Sequence, residues 1–160
     1  MSKNKLGVDE LQAFMQEHNI PGEILHLSVP TPTVETAAQA VGTTVDQIIK
    51  SILFIVDDQP VLAIACGLPS INRRAIADVY EVGKKRIKLA APETVLDISG
   101  YEVGAMPPFG HRQPLTTLID RRVLEFTDAY AGGGAENAIV HLHPQDILRV
   151  TGAQVLDLID

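Results

Sequence analysis

The strongest chemical signal lies in a loop with neither helical nor strand period, Gly100-Tyr-Glu-Val-Gly-Ala-Met-Pro-Pro-Phe-Gly-His-Arg-Gln-Pro114. Gly104 and Gly110 can adopt positive φ and let a ligand come close to the backbone. The three prolines fix φ and remove backbone donors. The remaining N–H groups must bond to sheet, water or ligand; they belong to Ala105, Met106, Phe109, Gly110 and His111. The loop therefore suits a binding or catalytic wall, or it is a rigid turn in which His111 bonds a backbone carbonyl.

Lys50 stands at the start of the most apolar strand candidate, Ser51–Asp57. By strand alternation it shares a face with Ile52, Phe54 and Val56. A lysine on an apolar face must extend to water, pair with an acid or bind an anion. A functional lysine here suits a phosphate or a carboxylate. The alternative is a lysine at a strand edge whose ammonium reaches solvent.

Glycines and histidines near the C-terminal end form two weaker patterns. Gly132-Gly-Gly134 lies between two strand candidates and is either a flexible turn or a second place of close backbone approach. His141 and His143 alternate onto one strand face, and His111 could join them in a three-histidine metal site. Such a histidine pair is more often just a polar strand face.

Several well-known catalytic motifs are missing from the sequence. It contains no G-x-G-x-x-G and no Walker-type lysine motif, which leaves nucleotide binding of those classes unsupported. It also lacks a G-x-S-x-G elbow, and Ser51, Ser70 and Ser99 each have no histidine nearby in sequence. Cys66, the only cysteine, lies within a strand candidate and is expected in the core rather than as a nucleophile.

Length and composition favour one globular domain over residues 1–160. With 46% apolar and 21% charged residues, the chain can bury a sizeable core. No apolar run approaches the roughly 18 residues of a membrane span. The first residues lead into an amphipathic helix rather than an apolar signal-peptide core, and a single cysteine excludes an internal disulfide. The expected location is the cytoplasm, with no membrane partner.

Charge is unevenly distributed along the chain. The net charge of −7 argues against broad, non-specific nucleic-acid binding. Residues 73–88 are nevertheless basic, since they contain two acidic residues and six basic ones. The basic residues are Arg73, Arg74, Lys84, Lys85, Arg86 and Lys88. This basic segment is either a solvated helix face or a contact with a few phosphates of a specific partner.

Periodicity and chain breakers predict a mixed order of helices and strands. Helices are predicted over residues 8–18, from Thr33 to Gly42, at Asn72–Tyr80, from Pro92 and at Gln145–Val150, with a helical turn at Thr44–Ile49. Strands are predicted at Glu23–Leu27, Ser51–Asp57, Val61–Cys66, Leu115–Ile119, Ala129–Ala131, Ala138–Leu142 and Val155–Ile159, while Ile87–Leu89 is ambiguous. Without a regular βαβ repeat, this order indicates an α+β fold with a mixed, curled and barrel-like sheet flanked by helices.

Five segments together resemble a known family. They are Thr33-Val-Glu-Thr-Ala-Ala-Gln-Ala-Val-Gly42, Gln47-Ile-Ile-Lys-Ser-Ile-Leu-Phe54, Gly104-Ala-Met-Pro-Pro-Phe-Gly-His111, Gly132-Gly-Gly134 and Leu142-His-Pro-Gln-Asp146. Their order is that of YbaK-type proteins, the free-standing relatives of the editing domain inserted in bacterial prolyl-tRNA synthetases. The resemblance covers nearly the whole chain.

The resemblance implies the activity and the site. It implies a trans-editing hydrolase that deacylates mischarged tRNA at the 3′-terminal adenosine ester, with a small amino acid such as alanine, serine, threonine or cysteine. The family's near-invariant lysine falls on Lys50, and its glycine-loop site on Gly104. The predicted substrate-binding residues are Thr33, Ala105, Pro107, Pro108, His111, Gly132 and Gly133. Some members carry an acid where this chain has Ile139, so their amino-acid preference is not carried over.

Three hypotheses follow. The first is a metal-independent, cofactor-free aminoacyl-tRNA deacylase, a monomer or homodimer, whose expected partners are the tRNA acceptor end and an aminoacyl-tRNA synthetase. The second is a non-catalytic module that binds an aminoacyl or nucleotide-like ligand, or a synthetase. The third is a metal-dependent hydrolase that uses His111, His141 and His143.

Overall fold

Helices and strands follow each other in the irregular order of an α+β protein. The computed structural model describes residues 5–159. The helices are α1 (Val8–Glu17), α2 (Val34–Val41), α3 (Arg73–Tyr80), α4 (Pro92–Ser99) and α5 (Pro144–Thr151). The strands are β1 (Gly22–His26), β2 (Ile49–Val56), β3 (Gln59–Cys66), β4 (Ile87–Leu89), β5 (Thr116–Asp120), β6 (Ala129–Gly132), β7 (Ala138–Leu142) and β8 (Gln154–Leu156). Within this described range, no helix has both the length and the apolar character needed to cross a membrane.

The described strands form two sheets. The smaller sheet has the order β1-β7-β6 and is antiparallel. The larger sheet has the order β4-β2-β3-β5-β8 and is mixed, since β2 pairs antiparallel with β3 and β4 whereas the β3–β5 and β5–β8 pairs are parallel. A parallel bridge between Ile48 and Tyr130 joins the two sheets.

The prediction of a curled, barrel-like sheet is wrong, because both sheets stay open in the described residues. The smaller sheet ends at β1 and β6, and the larger sheet ends at β4 and β8. Pairing between β2 and β6 would join the sheets, but among the described residues these strands do not pair again after the Ile48–Tyr130 bridge, and β1 and β8 would remain free edges in any case. Residues of both strands line a cleft in the space between them.

Apolar clusters hold the helices on the sheets. Along β3, side chains alternate between two clusters, so each face of the larger sheet is covered. One face packs against α1, α5 and the loop after α4; its buried members include Leu11, Leu62, Tyr101, Phe109 and Ile147. The opposite face packs against α3, and α2 packs on Ile48 and Ile139. Each fully buried aliphatic side chain contributes about 2 kcal/mol, so the elements around the cleft are firmly held.

Most predicted elements appear within two residues of their expected bounds, and the exceptions have physical causes. The last strand ends at Leu156 rather than at Ile159, since Leu158 N donates to the buried Asp120 Oδ1 (2.7 Å) instead of to a strand. The ambiguous segment Ile87–Leu89 is a strand because it pairs with the end of β2. A 3₁₀ turn at Arg121–Glu125 was not predicted.

Candidate active site

A cleft of about 290 Å³ opens where β2 and β6 separate. Three parts of the fold supply its walls: the adjoining strand ends, the start of α2 and the glycine–proline loop after α4. Of the predicted site residues, four line this cleft: Thr33, Lys50, Gly104 and Gly132. Their sequence positions are far apart, so the junction of the two sheets brings them together.

Hydrogen-bond alternation turns the main chain of Ser51 toward this cleft. Gly67 N donates to Ile48 O (3.0 Å), so Ile48 and every second residue after it direct their main-chain groups toward β3. Ala90 N donates to Leu53 O (3.0 Å), which places the groups of every second residue from 49 to 53 on the opposite edge. Ser51 N–H and C=O therefore lie on the part of the β2 edge between β6 and β4.

At Gly132, β6 presents main-chain groups to the same gap that the main chain of Ser51 faces from β2. Gly133 N donates to Ala138 O (3.0 Å), so the main-chain groups of Gly133 face β7 and those of Gly132 face away, toward β2. No side chain fits at Gly132, because a Cβ there would lie 2.2 Å from Met106 O. The loop thus packs directly on the end of β6, and main-chain groups from two strand edges face the cleft.

In the glycine–proline loop that forms one wall of the cleft, main-chain hydrogen bonds hold Ala105 in place, whereas the space around Gly104 is empty. Ala105 N donates to Glu102 O (3.0 Å), and Ala105 O accepts from Gly134 N (3.0 Å). Gly104 has φ of +90°, and a Cβ there would meet nothing within 4 Å. Its N–H has no protein partner among the described residues. Gly104 therefore adopts a conformation that favours glycine and leaves a main-chain donor for a ligand or water.

Thr33 fixes the start of α2 at the rim of the cleft. Its Oγ1 accepts from Thr36 N (3.1 Å), and its N donates to Thr36 Oγ1 (3.0 Å), a reciprocal cap. Gly42, with φ of +74°, ends the same helix. Because capping occupies the Thr33 hydroxyl, this residue sets the position of the apolar wall formed by Val34 and Ala37.

Lys50 supplies the positive charge of the cleft. Among the described residues that line it, Lys50 alone carries a formal charge, and none is a carboxylate or an imidazole. Lys50 Nζ donates to Pro69 O (2.5 Å). Burial lowers the pKa of Lys50, since partial removal from water disfavours the ammonium form. Such a cation forms strong charge-assisted hydrogen bonds with an anionic or carbonyl oxygen.

The other predicted binding residues lie outside the cleft lining: Ala105, Pro107, Pro108, His111 and Gly133. His111 Nε2 lies 2.8 Å from Pro107 O and closes the loop, and the ring packs edge-on against Tyr101. Burial lowers the pKa of His111 to about 4, so the ring is neutral at pH 7. His111 lines a separate cavity of about 260 Å³. Contact of these five residues with a ligand stays a prediction.

The three histidines of the metal-site hypothesis do not converge. His141 Nε2 lies 2.8 Å from Asp128 Oδ1, and its ring stacks on Tyr130. His143 Nδ1 lies 2.5 Å from Thr127 O, just before α5, while His111 belongs to the loop. Within residues 5–159, no group of three or more His, Cys, Asp or Glu side chains is arranged to hold a metal ion.

The core placement of Cys66 is confirmed. Its side chain is buried in the largest apolar cluster. Burial raises the pKa of the thiol to about 11, with the nearby charges of Asp120 and Asp46 adding to the effect. The thiolate is the nucleophilic form of cysteine, so Cys66 has no role in attack at neutral pH.

Comparison with known proteins identifies the family. The family model described as the aminoacyl-tRNA editing domain matches residues 28–150. This chain belongs to that family. A crystal structure provisionally described as a trans-editing enzyme for prolyl tRNA synthetase superposes on this editing domain with a TM-score of 0.87, 29% identity and 96% coverage of each chain.

Curated relatives include both short and long proteins. The uncharacterized protein YwhH of Bacillus subtilis (strain 168) is 22% identical to this editing domain over 151 residues, 94% of each chain. The proline–tRNA ligase of Nitratidesulfovibrio vulgaris (strain DP4) is 33% identical over 126 residues, which are 76% of this chain but 21% of the ligase. This chain thus spans about a fifth of the length of that ligase.

Sequence reasoning about this editing domain missed Ser51 as a residue of the site. Ser51 lines the cleft, its Oγ is buried, and that atom has no hydrogen-bond partner among the described residues. The available signal was a serine directly after Lys50 in an otherwise apolar strand. As a candidate nucleophile this serine has no histidine nearby in sequence, a partner that the role needs.

Proposed function

We propose that this editing domain hydrolyses the ester that joins a wrong amino acid to the 3′-terminal adenosine of a tRNA. The observation that carries the proposal is the cleft itself. It combines one partly buried lysine with main-chain groups from Gly104, Ser51 and Gly132, in a chain of the aminoacyl-tRNA editing family. Main-chain donors in a recessed site are suited to a carbonyl oxygen that becomes an oxyanion.

In the proposed reaction, water attacks the carbonyl carbon of the aminoacyl ester. Gly104 N–H donates to the carbonyl oxygen as it gains negative charge. Lys50 holds a phosphate or another polar group of the terminal nucleotide through charge-assisted hydrogen bonds. Collapse of the tetrahedral intermediate breaks the bond to the ribose oxygen, which takes up the proton released by water, and yields a free amino acid and uncharged tRNA. No carboxylate or imidazole of the described residues lines the cleft to act as a nucleophile. With a serine, threonine or cysteine ester, the substrate's own hydroxyl or thiol is the alternative to water as attacking group; its proton passes to the ribose oxygen and the product is then a lactone or thiolactone.

The walls of the cleft favour a small, uncharged amino acid. Val34, Ala37 and Ile139 make part of the lining apolar, and about 290 Å³ must hold both the aminoacyl group and part of the adenosine. Synthetases mischarge mainly near-isosteric amino acids, so hydrolytic editing is needed for the small ones. Alanine, serine, threonine and cysteine are the proposed substrates.

The proposed partners are the tRNA acceptor end and a prolyl-tRNA synthetase, in the cytoplasm where charged tRNA is used. Two features support them. Exposed lysines of the basic segment lie on the element that follows α3, and proline–tRNA ligases are among the relatives. For its oligomeric state we propose a monomer or a homodimer.

A non-catalytic binding module is the second candidate, favoured by the same lack of an acid–base side chain in the described lining. Such a module would retain the aminoacyl ester intact. It would bind a mischarged tRNA through Lys50 and release it unchanged.

Deacylation of a panel of mischarged tRNAs tests the proposal: Ala-, Ser- and Cys-tRNA(Pro) and Ser-tRNA(Thr). We expect wild type to release one small amino acid rapidly, and Lys50→Ala to lower that rate by about 10- to 100-fold, as expected for the loss of one hydrogen bond to a charged group. Lys5→Ala is the matched control, since Lys5 pairs with Glu102 (3.1 Å) at an exposed position outside the cleft. Full activity of Lys50→Ala would contradict the assigned site. Tight binding without release would favour the binding module.

A further inference from the structure

A residue beside the gap between β2 and β6, Ser51, carries a hydroxyl that the fold leaves without a partner. Ser51 Oγ is buried in the cleft wall and bonds to nothing among the described residues. A buried hydroxyl without a partner costs about 1–3 kcal/mol. The neighbouring Thr33 hydroxyl differs, since capping of α2 occupies it. A hydrogen bond from a ligand to Ser51 Oγ would therefore break no protein contact, and because the oxygen is buried, the side chain must turn toward the cleft to form it.

The aminoacyl group brings a specific need to this site. Its α-ammonium is a cation, and the charged side chain of the described lining, Lys50, has the same sign. No carboxylate of the described residues lines the cleft to balance it. A desolvated ammonium must then be bound by neutral oxygens. Three such acceptors belong to the residues that flank the gap: the outward-facing carbonyl groups of Ser51 and Gly132 at the strand edges, and Ser51 Oγ beside them.

We propose that Ser51 binds the α-ammonium of the aminoacyl ester, with its hydroxyl oxygen as acceptor, an inference that rests on the proposed function. The contact gives each of the substrate's three polar groups its own place in the cleft. The ammonium lies at the β2–β6 gap, whereas the carbonyl oxygen lies at Gly104 N–H and the nucleotide at Lys50. Ser51 is thus a specificity residue that requires a free α-amino group.

A binding cycle with stable analogues tests the contact. Two acceptor-stem minihelices end in 3′-amino-3′-deoxyadenosine and carry either an alanyl or a propionyl amide, which differ only in the α-amino group. In wild type, the alanyl analogue should bind about tenfold more tightly, as expected for one hydrogen bond to a charged group. In Ser51→Ala the alanyl analogue should lose most of that advantage, while propionyl binding changes less than about twofold.

Stability and a matched variant complete the design. Ser51→Ala should unfold in urea at the same concentration as wild type or a higher one, because it removes an unpartnered buried hydroxyl. Ser28→Ala, at an exposed serine outside the cleft, should leave both affinities unchanged, and Ser51→Thr should keep the preference for alanyl.

The outcomes separate this inference from the proposed function. Equal binding of the two analogues by wild type, or an undiminished alanyl preference in Ser51→Ala, would overturn the role of Ser51 while deacylation by wild type stands. Destabilisation by Ser51→Ala would overturn it too, since the hydroxyl would then have a structural partner. If wild type binds neither analogue and also deacylates none of the tRNAs, both proposals are wrong.

Discussion

Gly132 and Met106 touch through their main chains, so closely that a Cβ at position 132 would lie 2.2 Å from Met106 O. This contact places the loop after α4 against the end of β6, beside the bond between Gly134 N and Ala105 O (3.0 Å). Two chain segments that are distant in sequence thereby form one wall of the cleft. The geometry of the loop depends on the absence of a side chain at Gly132.

Gly132→Ala should separate these two segments. The obstructing atom belongs to the backbone and cannot swing aside, so we expect a loss of about 2 kcal/mol or more in the free energy of unfolding, together with a large drop in deacylation. Gly83→Ala is the matched control, because a Cβ there meets nothing within 4 Å and φ is −71°. Urea unfolding and deacylation rates check both variants, and a Gly132→Ala protein with wild-type stability and rate would refute the importance of the contact.

Gly104→Ala should act through backbone strain rather than through a clash. The position has φ of +90° with open space around it, so alanine there costs about 1 kcal/mol of strain or shifts the loop. Gly152→Ala provides the comparison, since it has φ of +65°, equally open space and a location at the end of α5. We expect similar losses of stability in urea for the two variants but slower deacylation only for Gly104→Ala. Equal activities would argue against Gly104 N–H as an oxyanion donor.

Local signals made most elements predictable from the sequence, whereas the arrangement of the cleft was not. The cap at Thr33 and the stop at Gly42 are encoded by residues next to each other, and both appear in the structure. The open gap between β2 and β6 depends on which strands pair, and short-range patterns do not contain that information. For the same reason the sequence predicts Lys50, Gly104 and Thr33 only as single residues, while the edge position of Ser51 depends on the register of β2 with β3.

His111 should make the stability of the fold depend on pH. Burial lowers its pKa to about 4 in the folded protein, against about 6.5 in an unfolded chain. The unfolded state therefore binds an extra proton between these values, so stability is complete above pH 6.5 and falls as the pH drops toward 4. The loss from this group amounts to at most about 3 kcal/mol.

Urea unfolding between pH 7 and pH 4.5 measures this effect, with His111→Gln as the reference variant. Glutamine can still donate to Pro107 O but does not titrate. The difference in unfolding free energy between wild type and His111→Gln should shrink or reverse as the pH falls. A constant difference across this range would show that the imidazole is not held neutral.

The basic segment should govern affinity for the tRNA stem and not the chemical step. Arg86 is paired with Asp57 (2.6 Å), and Arg73 lies over the Phe54 ring (5.7 Å), but Lys84, Lys85 and Lys88 are exposed. Phe54 shares a strand face with Lys50 at about 13 Å along β2. A stem that enters the cleft at Lys50 would therefore run close to these cations.

Replacing Lys84, Lys85 and Lys88 together by alanine should raise KM for full-length mischarged tRNA and leave kcat nearly unchanged. Each lost phosphate contact should reduce the slope of log affinity against log salt by about 0.7 to 0.9. A short aminoacyl oligonucleotide that ends in CCA but has no stem is the control substrate, because it cannot reach the basic segment. An unchanged salt slope with the full tRNA would mean that these lysines form only a solvated surface, and a matching defect with the short substrate would mean that the substitutions disturb the cleft itself.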